Sequence, residues 1–133
     1  MINSIILIGH LTKNIVIKHL PANGSPFAIL SVANNRKIRN GEQWIERTCF
    51  IEARIYGSLA ISCKQYLKKG SKVGIKGILV QTHGLDKKSR QKREKHFILV
   101  EMVQFLDPKS KQARPPTLQV AEEEVHLPFY VKG

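Results

Sequence analysis

Cysteine, acidic side chains, aromatics and long apolar runs are all scarce in this chain, and each scarcity removes a class of protein. The two cysteines, Cys49 and Cys63, are too few for the disulfide framework of a small secreted domain and too isolated for a zinc knuckle. The histidines His10, His19, His83, His96 and His126 show no metal-like pairing. The longest aliphatic stretch, Ile5 to Ile8, falls far short of the ~20 residues that cross a bilayer. Met1-Ile2-Asn3-Ser4 carries no basic segment ahead of an apolar run, so a reducing cytoplasm is the expected location and a membrane is not. Gly70, Gly74 and Gly77 punctuate a strand pattern and open no helix, which removes the phosphate-binding and dinucleotide glycine motifs. The seven acids of the expected barrel are dispersed. No enzyme, cofactor or metal is expected.

What is present is positive charge. Against 10 Asp and Glu stand 22 Lys and Arg, a formal charge of +12 in 133 residues, an imbalance that self-repels and so points to an anionic partner. Nucleic acid is the first expectation and an anionic membrane surface the second. A chain of this length buries roughly 65% or more of its unfolded surface, so its 42% apolar residues suffice for one core without staples.

Strand patterns dominate. Ser4 to Leu11 is nearly all aliphatic and β-branched, which reads as a strand covered on both faces, and Asn14 to His19 continues in kind. Leu20-Pro21-Ala22-Asn23-Gly24 is a turn, and a second strand follows from Phe27 to about Ile38. Arg39-Asn40-Gly41-Glu42 has the signature of a hairpin tip, so Gln43 to Tyr56 returns antiparallel on a long, projecting arm. Ser58 caps a short helix with Leu59, Cys63, Tyr66 and Leu67 at helical spacing, and Lys68-Lys69-Gly70 stops it. Strand patterning resumes over Lys72 to Thr82, breaks over His83 to Lys95, and returns from His96 to Leu106 before Asp107-Pro108. Five strands with one short helix between the third and fourth are the OB-fold arrangement, an all-β barrel whose strand face and loops bind oligonucleotides. Residues 1–107 are expected to form that barrel. Residues 108–133 contain Pro115-Pro116, the acidic run Glu122-Glu123-Glu124 and no sustained periodicity, and read as a flexible tail.

Alternation along the third strand sends Trp44, Phe50 and Tyr56 to one side, with Glu46, Thr48, Glu52 and Arg54. Ile45, Cys49, Ile51, Ala53 and Ile55 take the other, as the core face. Aromatics among charges suit a wet surface on which bases stack, although packing against a loop or a second subunit would also account for them. Arg36, Lys37, Arg39 and Arg47 gather around the hairpin tip, and Lys87, Lys88, Arg90, Lys92, Arg93 and Lys95 crowd the segment between the last two strands. Either run alone is an ordinary solvated face. Two of them flanking an aromatic stripe favour a nucleic-acid surface. Cys49 reads as a small buried residue and Cys63 as helix packing.

Ile6-Leu7-Ile8-Gly9-His10-Leu11, and more specifically Gln65-Tyr66-Leu67-Lys68-Lys69-Gly70-Ser71-Lys72-Val73-Gly74-Ile75-Lys76-Gly77, resemble the bacterial single-stranded DNA-binding protein family. Glu46-Arg47-Thr48-Cys49-Phe50, Ile55-Tyr56-Gly57, the Pro-x-Asn-Gly turn and Met102-Val103-Gln104-Phe105-Leu106 fall in the same order, from about Asn3 to Leu106. The resemblance implies a homotetramer that wraps single-stranded DNA without sequence preference in replication, recombination and repair. It places the family's stacking aromatics at Ile38, Phe50, Tyr56 and Gly84, two of which are no longer aromatic, and puts Lys69, Lys72 and Lys76 on matching ground. Charge would then replace part of the stacking. It also likens Glu122-Glu123-Glu124 with Pro128-Phe129 to the tail tip by which such proteins bind replication and repair partners, here followed by Tyr130-Val131-Lys132-Gly133. Two other classes stay open: an OB-fold accessory factor of the replication-restart or RNA-binding kind, and a basic module that binds an acidic protein.

Overall fold

The structure is a computed structural model and describes residues 1–85, 92–107 and 117–119. The elements are β1 (Ile5–Leu11), β2 (Ile17–His19), β3 (Pro26–Asn40), β4 (Gln43–Tyr56), α1 (Ser58–Tyr66), β5 (Lys72–Leu85), β6 (Lys92–Phe105) and β7 (Thr117–Gln119). β1 pairs antiparallel with β5, β5 with β6, and β3 with β4, while β4 and β6 meet in parallel register at Ala53–Ile98 and Arg54–Leu99. His10 and Leu11 then pair with Ala33 and Val32, joining β1 to β3. That last ladder closes the five long strands into the expected barrel, with α1 between the third and fourth of them. β2 and β7 add short antiparallel pairings to β3 and β6.

Apolar alternation builds the interior. Ala28, Leu30 and Val32 on β3, Ala53 and Ile55 on β4, Val73 and Ile75 on β5, and Ile98, Val100 and Val103 on β6 form one buried cluster, which α1 extends with Leu59, Ala60 and Cys63. Two glycines let backbones pass closely, one where β1 meets β3 and one on the β5–β6 ladder. A Cβ at Gly9 would lie 2.5 Å from the Ala33 carbonyl oxygen, and one at Gly77 would collide with the Leu99 carbonyl beside the register shift between Lys76 and Gly77. The predicted turns form as read: Gly24 and Gly41 take φ of 71° and 67°, and Arg39 Nε donates to the Gly41 carbonyl at 3.0 Å across the hairpin tip.

Several elements depart from expectation. β1 is covered on one face only, with Ile6 and Ile8 exposed at 75% and 51%, because a barrel strand has a single interior. Asn14 to His19 is a strand only over Ile17–His19, although Ile15 is buried. The helix begins behind Gly57, whose φ of 75° and ψ of −150° make it the cap residue, and no side chain caps it. Its end is set at Leu67 by a turn to extended backbone. Gly70 instead serves the following turn, where its N–H donates to the Leu11 carbonyl at 2.8 Å. β5 and β6 run on to Leu85 and back to Lys92, through what reads as a polar break, because a two-stranded arm beyond the barrel needs no apolar alternation. Within the expected tail, Thr117–Gln119 pairs with Met102–Gln104.

Candidate nucleic-acid interface

The β3–β4 ladder is continuous from Phe27–Tyr56 to Asn40–Gln43, so the face of every side chain on it follows from parity. Trp44, Phe50, Glu52, Arg54 and Tyr56 share the outer face, as the alternation predicts. Lys37 and Arg39 on β3 join them, opposite Glu46 and Trp44. The parallel pairing of Arg54 with Leu99 adds Lys95, Phe97 and Leu99 of β6, and antiparallel pairing carries the face on to Val80 and Thr82 of β5. Gly84, opposite Arg93, lies further along the same ladder.

Arg36, Ile38 and Arg47 are one residue out of step. Arg36 stands opposite Arg47 and Ile38 opposite Ile45, on the face of the arm turned away from Trp44 and Phe50. The two arginines are both exposed. Cys49 is on that face too and is exposed rather than buried, because the arm has left the barrel by then and, among the described residues, no core strand covers that face there. The expected core face becomes a core only at Ala53 and Ile55. Lys72 and Lys76 lie on the outer side of β5, opposite His10 and Ile6, and Lys69 is exposed in the turn before it, its N–H bonded to Asn14 Oδ1 at 2.8 Å. Lys92 and Arg93 belong to β6. Lys87, Lys88, Arg90, Glu122, Glu123, Glu124, Pro128 and Phe129 lie outside the described residues.

The outer face has two kinds of aromatic. Trp44 and Phe50 are exposed at 65% and 72%, and the Arg39 guanidinium lies 5.9 Å from the centre of the Trp44 ring. Tyr56 and Phe97 are instead held. Tyr56 stacks on Phe27 with ring centres 5.7 Å apart, and burial pushes its hydroxyl above the ordinary tyrosine range, against the lowering charge and hydrogen bond of Arg54. Phe97 is fully buried beneath the Arg54 guanidinium, which sits 4.0 Å from its centre. Glu52 accepts from Arg54 Nε at 3.0 Å and pairs with Lys95 Nζ at 3.5 Å. Phe97 and Phe27 do not stand out in the sequence, because each sits in an apolar run where no periodicity separates a surface aromatic from a core one.

The two thiols are sharply unlike. Cys63 is buried on the inner side of α1 and its thiol is pushed up to about 12 by desolvation, whereas Cys49 is open to solvent. A disulfide-exchange reagent at pH 8 should titrate one thiol in the native chain and the second only after denaturation. Two thiols reacting at once would contradict the burial of Cys63.

A closed barrel bearing an open aromatic face edged by cations defines the oligonucleotide-binding class of OB-fold proteins. The sequence profile of the Single-strand binding protein family matches residues 2–106. The single-stranded DNA-binding protein of Wolinella succinogenes is 41% identical over 111 residues, 82% of this chain and 67% of the relative. That of Helicobacter pylori is 36% identical over 120 residues, 90% of this chain and 66% of the relative. The chain thus spans about two thirds of the length of these curated relatives. Among solved structures, a Plasmodium falciparum SSB in complex with ssDNA superposes with a TM-score of 0.73 at 26% identity, covering 80% of this chain and 97% of the other. The chain belongs to the single-strand binding protein family.

Proposed function

We propose that this protein binds single-stranded DNA without sequence preference, protecting it during replication, recombination and repair. The observation that carries the reading is the outer face of β4, where Phe50 and Trp44 stand open beside Arg39 and Lys37. A base has a π-face whatever its identity, so exposed aromatics in a cationic setting bind any sequence. Family membership and the named relatives support the same assignment. The binding unit is assigned to residues 1–107, and a tail over 108–133 to partner contacts with replication and repair proteins through Glu122, Glu123, Glu124, Pro128 and Phe129. The role is binding and not catalysis, in the cytoplasm at the nucleoid. Among the described residues no helix is long and apolar enough to cross a membrane.

The homotetramer is part of the proposal. Ile6 and Ile8 leave an apolar strip on the outer face of β1, which a second copy would cover. The replication-restart or RNA-binding alternative rests on Ile38 and Gly84, where aromatic platforms of the family pattern are absent.

Titration with labelled oligonucleotides of one length, as single-stranded DNA, duplex DNA and single-stranded RNA, decides between them. Single-stranded DNA should bind far more tightly than duplex and quench Trp44 emission. Equal affinity for duplex, or preference for RNA, would overturn the assignment.

A further inference from the structure

Between Phe50 and Tyr56 the outer face of β4 runs for about 20 Å along the strand, at about 3.3 Å per residue. The side chains in this gap are Glu52 and Arg54, and a carboxylate is a poor neighbour for a polyanion. The geometry answers the difficulty. Glu52 accepts from Arg54 at 3.0 Å, and the guanidinium lies 4.0 Å above the centre of the fully buried Phe97 ring. Phe97 is absent from the interior cluster; it belongs to the outer face and is roofed by Arg54. Arg54 retains 14% exposure of its side chain.

We propose that Arg54 is a third stacking platform, presenting its guanidinium plane to a base between those on Phe50 and Tyr56. The assignment rests on reading this face as a single-stranded DNA surface, and deepens it. A guanidinium is planar and stacks on aromatic systems on either side, so Phe97 below and a base above complete one column. Glu52 fixes the plane and already neutralises the charge, so Arg54 acts through its shape and not as a phosphate ligand. Lys95, 67% exposed and 3.5 Å from the other oxygen of Glu52, keeps the local balance positive. The platform lies about 7 Å along the strand from Tyr56 and about 13 Å from Phe50. Phe97, as the floor of that column, is a positioning residue.

The test uses the full chain, with Arg54→Lys, Arg54→Gln and Arg54→Tyr, checked for folding by near-ultraviolet circular dichroism. Each is titrated with oligo-dT and with an oligonucleotide of the same length whose central residues are abasic, over a range of salt. Arg54→Lys keeps the charge and loses the plane, so it should bind oligo-dT about tenfold or more weakly and the abasic strand as the unaltered protein does. Arg54→Tyr restores a plane without charge and should recover oligo-dT binding. Arg54→Gln should weaken oligo-dT binding with the salt slope unchanged. A slope lowered by about 0.7 in Arg54→Gln would make Arg54 a phosphate ligand, and undiminished binding by Arg54→Lys would remove it from the site. If none of the variants folds, Arg54 is a piece of the barrel and the proposal fails. Should the unaltered protein not bind oligo-dT at all, the parent reading fails instead.

Discussion

Raising monovalent salt from 50 to 200 mM is expected to weaken binding of a single-stranded oligonucleotide by about two orders of magnitude. For single strands each neutralised phosphate adds about −0.7 to the slope of log K against log salt, so about six such phosphates give a slope near −4 and a loss of about 300-fold over that interval. The charge to support it is present: +12 on the whole chain, with Arg36, Lys37, Arg39 and Arg47 exposed on one arm and Lys69, Lys72 and Lys76 exposed on or beside β5. Arg36 and Arg47 are direct cross-strand partners, and like charges directly opposite one another oppose strand pairing. An anion seated between them would relieve that repulsion, and a phosphate of a strand wrapped around the arm has the right chemistry. Both faces of the arm would then bind, aromatics on one and the arginine pair on the other. Replacing Lys87, Lys88, Arg90, Lys92 and Arg93 together with Ser should lower the slope by about 0.7 for each phosphate left without its cation. A slope that stays flat in the unaltered protein would mean its charge is only solvated surface.

The barrel was legible because it is built from signals a single sequence carries. Alternation from Gln43 to Tyr56 placed a strand of that span, and Asn-Gly pairs at 23–24 and 40–41 placed the turns on either side of β3. Parity alone separated Phe50 and Tyr56 from Ala53 and Ile55. What it could not supply was where the barrel ends. Cys49 has the parity of Ile55, yet one is exposed and the other fully buried, because burial needs an opposite wall and the wall belongs to strands distant in sequence. The same limit hid the pairing across β4 and β6. Leu99 and Phe97 look like core in the run Phe97 to Val100, and only the parallel register Arg54–Leu99 brings Phe97 under Arg54. Clustered charge near the hairpin tip located the arm but not its sides: Arg36, Arg47 and Ile38 lie one step out of phase with Lys37 and Arg39, and a one-residue step reverses the face.

Truncating the two retained aromatics should separate binding from stability. Phe50 is exposed at 72% and faces Ala33 across the ladder, so Phe50→Ala opens no cavity and should leave the urea midpoint unchanged. Its loss should cost about 1–3 kcal/mol of binding to oligo-dT, the value of one stacked base, which is roughly 5- to 150-fold in affinity. Tyr56 differs because it is half-buried, its ring stacked on Phe27 at 5.7 Å and its hydroxyl tied to Arg54. Tyr56→Ala should therefore cost a similar amount of binding and also lower stability, by about 0.5–1.5 kcal/mol for the aromatic pair beyond the area it buries. Tyr56→Phe keeps the ring and its stack, so binding should be retained while only the oxygen that accepts from Arg54 disappears. The contrast follows from burial, since an open ring offers its whole face to a base whereas a packed ring offers one side and braces the barrel with the other. If Phe50→Ala unfolds as readily as Tyr56→Ala, Phe50 is part of the fold. If it unfolds normally and binds oligo-dT unchanged, the outer face of β4 is not where bases stack.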